Sequence, residues 1–198
     1  MNSTKPTARV AGLLYLVNGV TGFFGIIYVP SRLIVSGNAA ATAHNILASA
    51  RLFRLGIASE VICAVEFIYL LWVLYRLLSG VSKTHASLMA IFGLPIVPIM
   101  CMNAVSDIAA LTLFHGADFL SAFGQPQRES MAMLFLDVRR YGYDVGWIFG
   151  LYLFHLGVCV WKSRFLSRFL GVLLIAACFG YLAVSLHCPD LYYDVANS

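Results

Sequence analysis

Apolar residues run along this chain in five long stretches, and polar residues gather between them or stand alone inside them. The stretches cover residues 10–29, 52–78, 86–114, 141–161 and 169–187. Each matches the roughly 20 residues an α-helix needs to cross the hydrocarbon of a bilayer. Lys5 and Arg9 precede the first stretch as basic residues precede a signal peptide, but the run reaches Tyr28, longer than a signal's apolar region. It reads as a first span, with Asn18, Gly22 and Gly25 on one inward face and Pro30 as its end.

The segments between the stretches carry their own signals. Ser36-Gly37-Asn38 predicts a turn, and Asn38 predicts the cap of a short helix over residues 39–50 that cannot span and lies at the interface. Pro95 and Pro98 each remove a backbone donor and predict a kink in the third stretch. Residues 115–128 read as a loop, Glu129–Arg140 as an amphipathic helix, and Cys188-Pro189 as the stop of the last span. The expected fold is all-α: one integral membrane helical bundle over residues 1–198, with about five transmembrane helices and two short interfacial ones.

The fourth stretch, with the two residues before it, has two faces at helical spacing. Gly142, Gly146 and Gly150 fall four apart on one side, the small-residue pattern that lets helix backbones approach closely in lipid. Asp144, Ile148, Leu151 and His155 fall on the other. Ionisable groups on such a helix are costly in hydrocarbon, so that face is expected to look into protein or a wet cavity.

Composition narrows the class. Of the 198 residues, 61% are hydrophobic and only 11% charged, where a soluble domain is about half apolar and a quarter charged. The net charge of +4 does not indicate nucleic acid, because the basic residues sit at the ends of apolar runs rather than in a patch with interleaved aromatics. Lys5, Arg9, Arg76, Lys83, Lys162, Arg164 and Arg168 fall on one side of a five-span chain, with no acid among them. Short basic loops stay in the cytoplasm, so the N-terminus is expected inside and the C-terminus outside. The five cysteines share no CxxC spacing, and no disulfide framework is implied.

That topology sets the depth of the buried polar groups. At 1.5 Å per residue, Glu60 lies about 9 Å below Arg54, Asp107 about 12 Å below His115 and Asp144 about 6 Å below Arg140, all in the outer half. Glu60, Asp107 and Asp144 are the candidate catalytic acids and bases, since desolvation can leave one carboxyl protonated and another ionised. Asn103 and Tyr141 lie at similar depth to orient them, while Asn18, Glu66 and His155 lie deeper and complete the candidate binding residues. The competing reading is structural: rim arginines Arg51, Arg54, Arg139 and Arg140 pair with the acids and hold the helices in register. No HExxH or HxxxH spacing occurs, so no metal site is expected, and no cofactor is implied.

Three short motifs carry a resemblance: Ile46–Gly56 (ILASARLFRLG), Tyr141–Asp144 (YGYD) and Ser163–Leu174 (SRFLSRFLGVLL). In this order they resemble DUF4386, a bacterial family of multi-pass membrane proteins defined as a domain of unknown function. The likeness runs from about Ala8 to Ser185, with Ser167 where the family reads Pro. It implies a bacterial cytoplasmic membrane and carries no catalytic residues over. The function expected from the residues is a small intramembrane enzyme isomerising or cyclising an isoprenoid or lipid-like substrate by proton transfer. The alternatives are a proton-coupled small-solute transporter, with Glu66 and His155 as relay groups, and a non-catalytic accessory protein. Expected partners are membrane lipids and an apolar small molecule.

Overall fold

In the computed structural model the chain is helical throughout its regular structure. The structure describes residues 4–144, 147–163 and 165–196. The side chains of Thr4, Lys5, Tyr141, Tyr143, Asp144, Trp147 and residues 184–196 lie outside that description, as do Val145 and Gly146 entirely.

The helices are α1 (Thr4–Gly22), α2 (Val29–Leu33), α3 (Ala39–Ala48), α4 (Ala50–Leu78), α5 (Lys83–Gly93), α6 (Ile96–His115), α7 (Gln125–Asp144), α8 (Trp147–Lys162) and α9 (Arg168–Ala196). A wide π-helical segment, Phe23–Tyr28, joins α1 to α2, and a 3-10 turn, Asp118–Leu120, lies between α6 and α7. Three rods are long and apolar enough to cross a membrane: Pro6–Leu33, Ala50–Leu78 and Lys83–His115. Two shorter apolar helices follow, Ile148–Lys162 and Arg168–Ala183.

Large apolar side chains are exposed beside an apolar core that also takes in a few charged groups. Leu13, Leu16 and Val20 are more than 60% exposed, whereas Glu60 is 0%, Asp107 3% and Arg139 5% exposed. Apolar side chains facing out and ionised ones facing in suit lipid as the surrounding solvent.

Several local expectations hold. Asn38 Oδ1 accepts from the Ala41 N–H at 2.9 Å and caps α3. The kink expected at Pro95 is a break: α5 ends at Gly93 and α6 begins at Ile96. Pro98 falls in the first turn of α6, where its missing N–H has no intrahelical acceptor to lose. Gly116, at φ 67°, turns the chain out of α6 in the left-handed conformation that glycine adopts without strain.

Pro30 does not end the first span. The helix passes through it to Leu33, because the π-helical segment shifts the hydrogen-bond register just upstream of the proline. The face drawn through Asp144 and His155 runs across Val145 and Gly146, and with the Asp144 side chain it lies outside the described residues.

The chain separates into two compact units, each assembled from distant segments. The first takes the chain up to Tyr15, Phe67–Pro98 and everything from Tyr143; the second takes Leu16–Glu66 and Ile99–Gly142. In the first unit α8 packs on α5 and α9. A Cβ at Gly157 would lie 2.9 Å from the Gly171 carbonyl, so α8 and α9 meet backbone to backbone. In the second unit Val29, Ile46, Phe53, Leu111, Ala132 and Leu136 form part of one apolar core.

Candidate functional site

The second unit buries three charged side chains together. Arg139 on α7 places Nε 3.0 Å from Asp107 Oδ2 on α6 and Nη2 3.6 Å from Glu60 Oε2 on α4. Nη2 also donates to the Gly25 carbonyl at 3.1 Å. One guanidinium thus ties four helical segments, which suits its planar array of donors better than a lysine's point charge.

The sequence explains why the Gly25 carbonyl is available. In the π-helical segment N–H groups reach back five residues, as Val29 N–H does to the Phe24 carbonyl. The donor for Gly25 in that register is the N–H of residue 30, and proline has none. Arg139 supplies the missing donor. Gly25 also permits the approach: a Cβ there would lie 2.8 Å from the Gly56 carbonyl and 3.1 Å from the Glu60 N.

Each member of the cluster sits on a buried helical face. Ala132, Leu136 and Arg139 follow one another four and three residues apart on α7, and all are buried. Phe53, Ile57, Glu60, Ala64 and Phe67 do the same on α4, as do Met100, Asn103, Asp107 and Ala110 on α6. The other arginines of this unit differ: Arg32, Arg51, Arg54 and Arg140 are exposed and Arg128 is half-buried.

Arg139, expected at the rim beside Arg140, is instead the buried centre of the cluster. Its signal in the sequence is its helical phase with Ala132 and Leu136. Two of the three expected acids converge, Glu60 and Asp107, and they share a single arginine. The side chains of the third acid, Asp144, and of Tyr141 lie outside the described residues.

The rest of the cluster carries unused hydrogen-bonding capacity. Asp107 Oδ1 and Asn103 Nδ2 are buried, and neither has a hydrogen-bond partner among the described residues. Asn103 is 2% exposed, one turn before Asp107 on the same helix. Its carboxamide fills the place a Cβ at Gly142 would take, so that glycine makes room for it. Gly142, expected to bring helix backbones together, admits a polar side chain instead.

Asn18 turns inward as expected, its Nδ2 donating to the Cys63 carbonyl and Sγ, each at 3.2 Å. Glu66 is half-buried. His155 lies in the first unit, with its Nδ1 3.1 Å from Nδ1 of His85. Phe92 stacks on the His155 ring at 5.6 Å and Phe154 meets it edge-on at 5.4 Å. No sequence signal marks His85 as its partner, because α5 and α8 are brought together only by the tertiary fold. Among the described residues no group of three or more His, Cys, Asp or Glu could hold a metal ion.

A family profile described as Domain of unknown function (DUF4386) matches residues 10–195. The chain belongs to this family. No curated protein and no solved structure matches it. The description of DUF4386 names no activity, so the chemistry of the site follows from its own groups.

Proposed function

We propose that this DUF4386 protein is a membrane-embedded enzyme that moves a proton on an apolar, lipid-like molecule such as an isoprenoid, isomerising or cyclising it. The observation that carries this reading is Asp107: one carboxylate oxygen beside Arg139, the other buried and without a hydrogen-bond partner among the described residues. A purely structural ion pair gains nothing from leaving a buried acceptor open, since an unmet buried polar atom costs about 1–3 kcal/mol. A proton-transfer base needs such an atom, held in place by its other oxygen. Glu60 shares the guanidinium and tunes how strongly Asp107 holds its proton. Tyr141 is assigned to the same site as a positioning hydroxyl, on its place in the sequence.

The protein is placed in a bacterial cytoplasmic membrane, crossing it five times with the N-terminus inside. The division of basic residues supports this orientation. Arg9, Arg76, Lys83, Lys162 and Arg168 flank apolar runs on the side that also receives the N-terminus when the runs are counted as five spans.

Deuterium transfer tests the reaction even while the substrate is unidentified. Purified protein in vesicles of bacterial lipid extract, incubated in D2O, should place deuterium on carbon in one lipid class, read by mass spectrometry. Asp107→Asn should abolish that labelling while the protein stays folded. Labelling that survives the substitution, or none with the wild type, refutes the enzyme.

The His85–His155 pair favours a second reading, a proton-coupled transporter, because one imidazole can pass a proton to the other through their shared hydrogen bond. Proton uptake by proteoliposomes that depends on His155 and not on Asp107 would select it.

A further inference from the structure

Building on that proton-transfer site, we infer that its substrate is a neutral apolar ketone, bound with its carbonyl oxygen on Asn103 and its acidic C–H at Asp107. Asn103 Nδ2 is a buried amide donor without a partner among the described residues, on a side chain only 2% exposed. One turn along the same helical face, Asp107 Oδ1 is a buried acceptor in the same condition. Side chains at this spacing have Cβ atoms about 5–6 Å apart. A ketone presents both partners on neighbouring atoms, a carbonyl oxygen for the amide donor and an α C–H for the carboxylate.

The donor separates two kinds of proton chemistry. Protonating an alkene makes a carbocation, which an amide N–H cannot stabilise. Removing a proton next to a carbonyl makes an oxyanion, which a preorganised N–H stabilises directly. Asp107 Oδ1 takes the proton from the α-carbon, and the C–H electron pair becomes the enolate C=C. The charge moves to the oxygen held by Asn103. Once the proton on Asp107 has exchanged with solvent, delivery of a solvent hydron to the α-carbon completes exchange, whereas return of the abstracted proton to the γ-carbon of an unsaturated ketone completes isomerisation. No oxidant, reductant or cofactor enters either balance.

Charge excludes the obvious alternative, a prenyl phosphate. The site already holds two carboxylates against the one arginine that is buried in this unit among the described residues. A phosphate would add like charge beside Asp107 where water cannot screen it.

The inference is tested with geranylacetone and geranyl phosphate as matched neutral and anionic probes, using the full chain in detergent micelles. Geranylacetone should bind at least about tenfold more tightly than geranyl phosphate and gain α-deuterium faster than in buffer. Asp107→Asn should stop the exchange and leave binding within a few-fold. Asn103→Leu should weaken binding by about tenfold, the worth of one buried hydrogen bond. Asn103→Asp, which keeps the shape and removes the amide donor, serves if the leucine variant does not fold.

Tighter binding of the phosphate overturns the ketone assignment. So does lipid-extract labelling that requires Asp107 while geranylacetone is neither bound nor labelled, and in that case the proton-transfer reading stands. If neither the extract nor geranylacetone is labelled, both fall, and the open atoms of Asn103 and Asp107 serve structural water alone.

Discussion

The two units bury polar groups by different physical means. In the second, Arg139 is fixed between Glu60 and Asp107, and each charge is tolerable only because the opposite charge is beside it. In the first, His85 and His155 share one hydrogen bond and need carry no charge at all. The arginine cluster therefore fails when its one cation is removed. The histidine pair fails when both rings are protonated and neither Nδ1 can accept. One is a lock whose strength depends on its complement; the other is a contact set by pH.

That contrast orders the expected effects. Arg139→Met should be the most damaging, leaving two carboxylates without their cation and costing about 3–5 kcal/mol in detergent-unfolding measurements. Arg139→Lys should recover only part, since a compact ammonium lacks the spread of the guanidinium fork that reaches Gly25, Glu60 and Asp107 together. Survival of Arg139→Met at wild-type stability would show that these groups are not buried together.

Next comes the close approach that admits the arginine. Gly25→Ala would press a Cβ on the Gly56 carbonyl and Glu60 N, both backbone atoms that cannot swing away. The expected loss is about 1–3 kcal/mol. Gly157→Ala is the matched substitution in the first unit, against the Gly171 carbonyl, and should cost a similar amount. The two should part on deuterium transfer, which Gly25→Ala lowers per folded molecule and Gly157→Ala leaves unchanged.

The histidine pair should be worth less, about 0.5–1.5 kcal/mol, as a neutral hydrogen bond. Two protonated rings would set like charges 3.1 Å apart, so acid should weaken the contact. Melting at about pH 5 and pH 8 should show the wild type losing stability in acid and His85→Asn losing less. An equal loss would separate the pair from the pH response.

The smallest effect concerns Asp137 on α7. Burial pushes its carboxyl up, with Arg140 pulling the other way. A raised pKa means the folded chain holds the proton more tightly than the unfolded one. Its stabilising effect is then present in acid and lost as pH rises through the folded value. Asp137→Asn should therefore leave stability at neutral pH unchanged or slightly higher, and flatten its slope with pH in the carboxylate range.

Much of the scaffold is legible in the sequence because it depends on local chemistry. Apolar run length announces the long helices, Asn38 its cap and Pro95 the break. Glu60, Asp107 and Asn103 are legible as inward-facing because isolated polar residues in apolar helices avoid lipid. Arg139 is legible only as one of four rim arginines that pair with the acids, and its burial is not, until its phase with Ala132 and Leu136 is weighed. Nor is the passage of a helix through Pro30. A proline's missing N–H looks like a stop unless the donor that replaces it, here from a side chain over a hundred residues away, is known.

If Arg139 balances two buried carboxylates, removing their charges should rescue its loss, and that rescue is the most direct test. Unfolding should be measured for Arg139→Met alone and for Arg139→Met combined with Glu60→Gln and Asp107→Asn. The triple variant should recover most of the roughly 3–5 kcal/mol lost by the single one, because no uncompensated charge remains. A triple variant no more stable than Arg139→Met would contradict the charge balance.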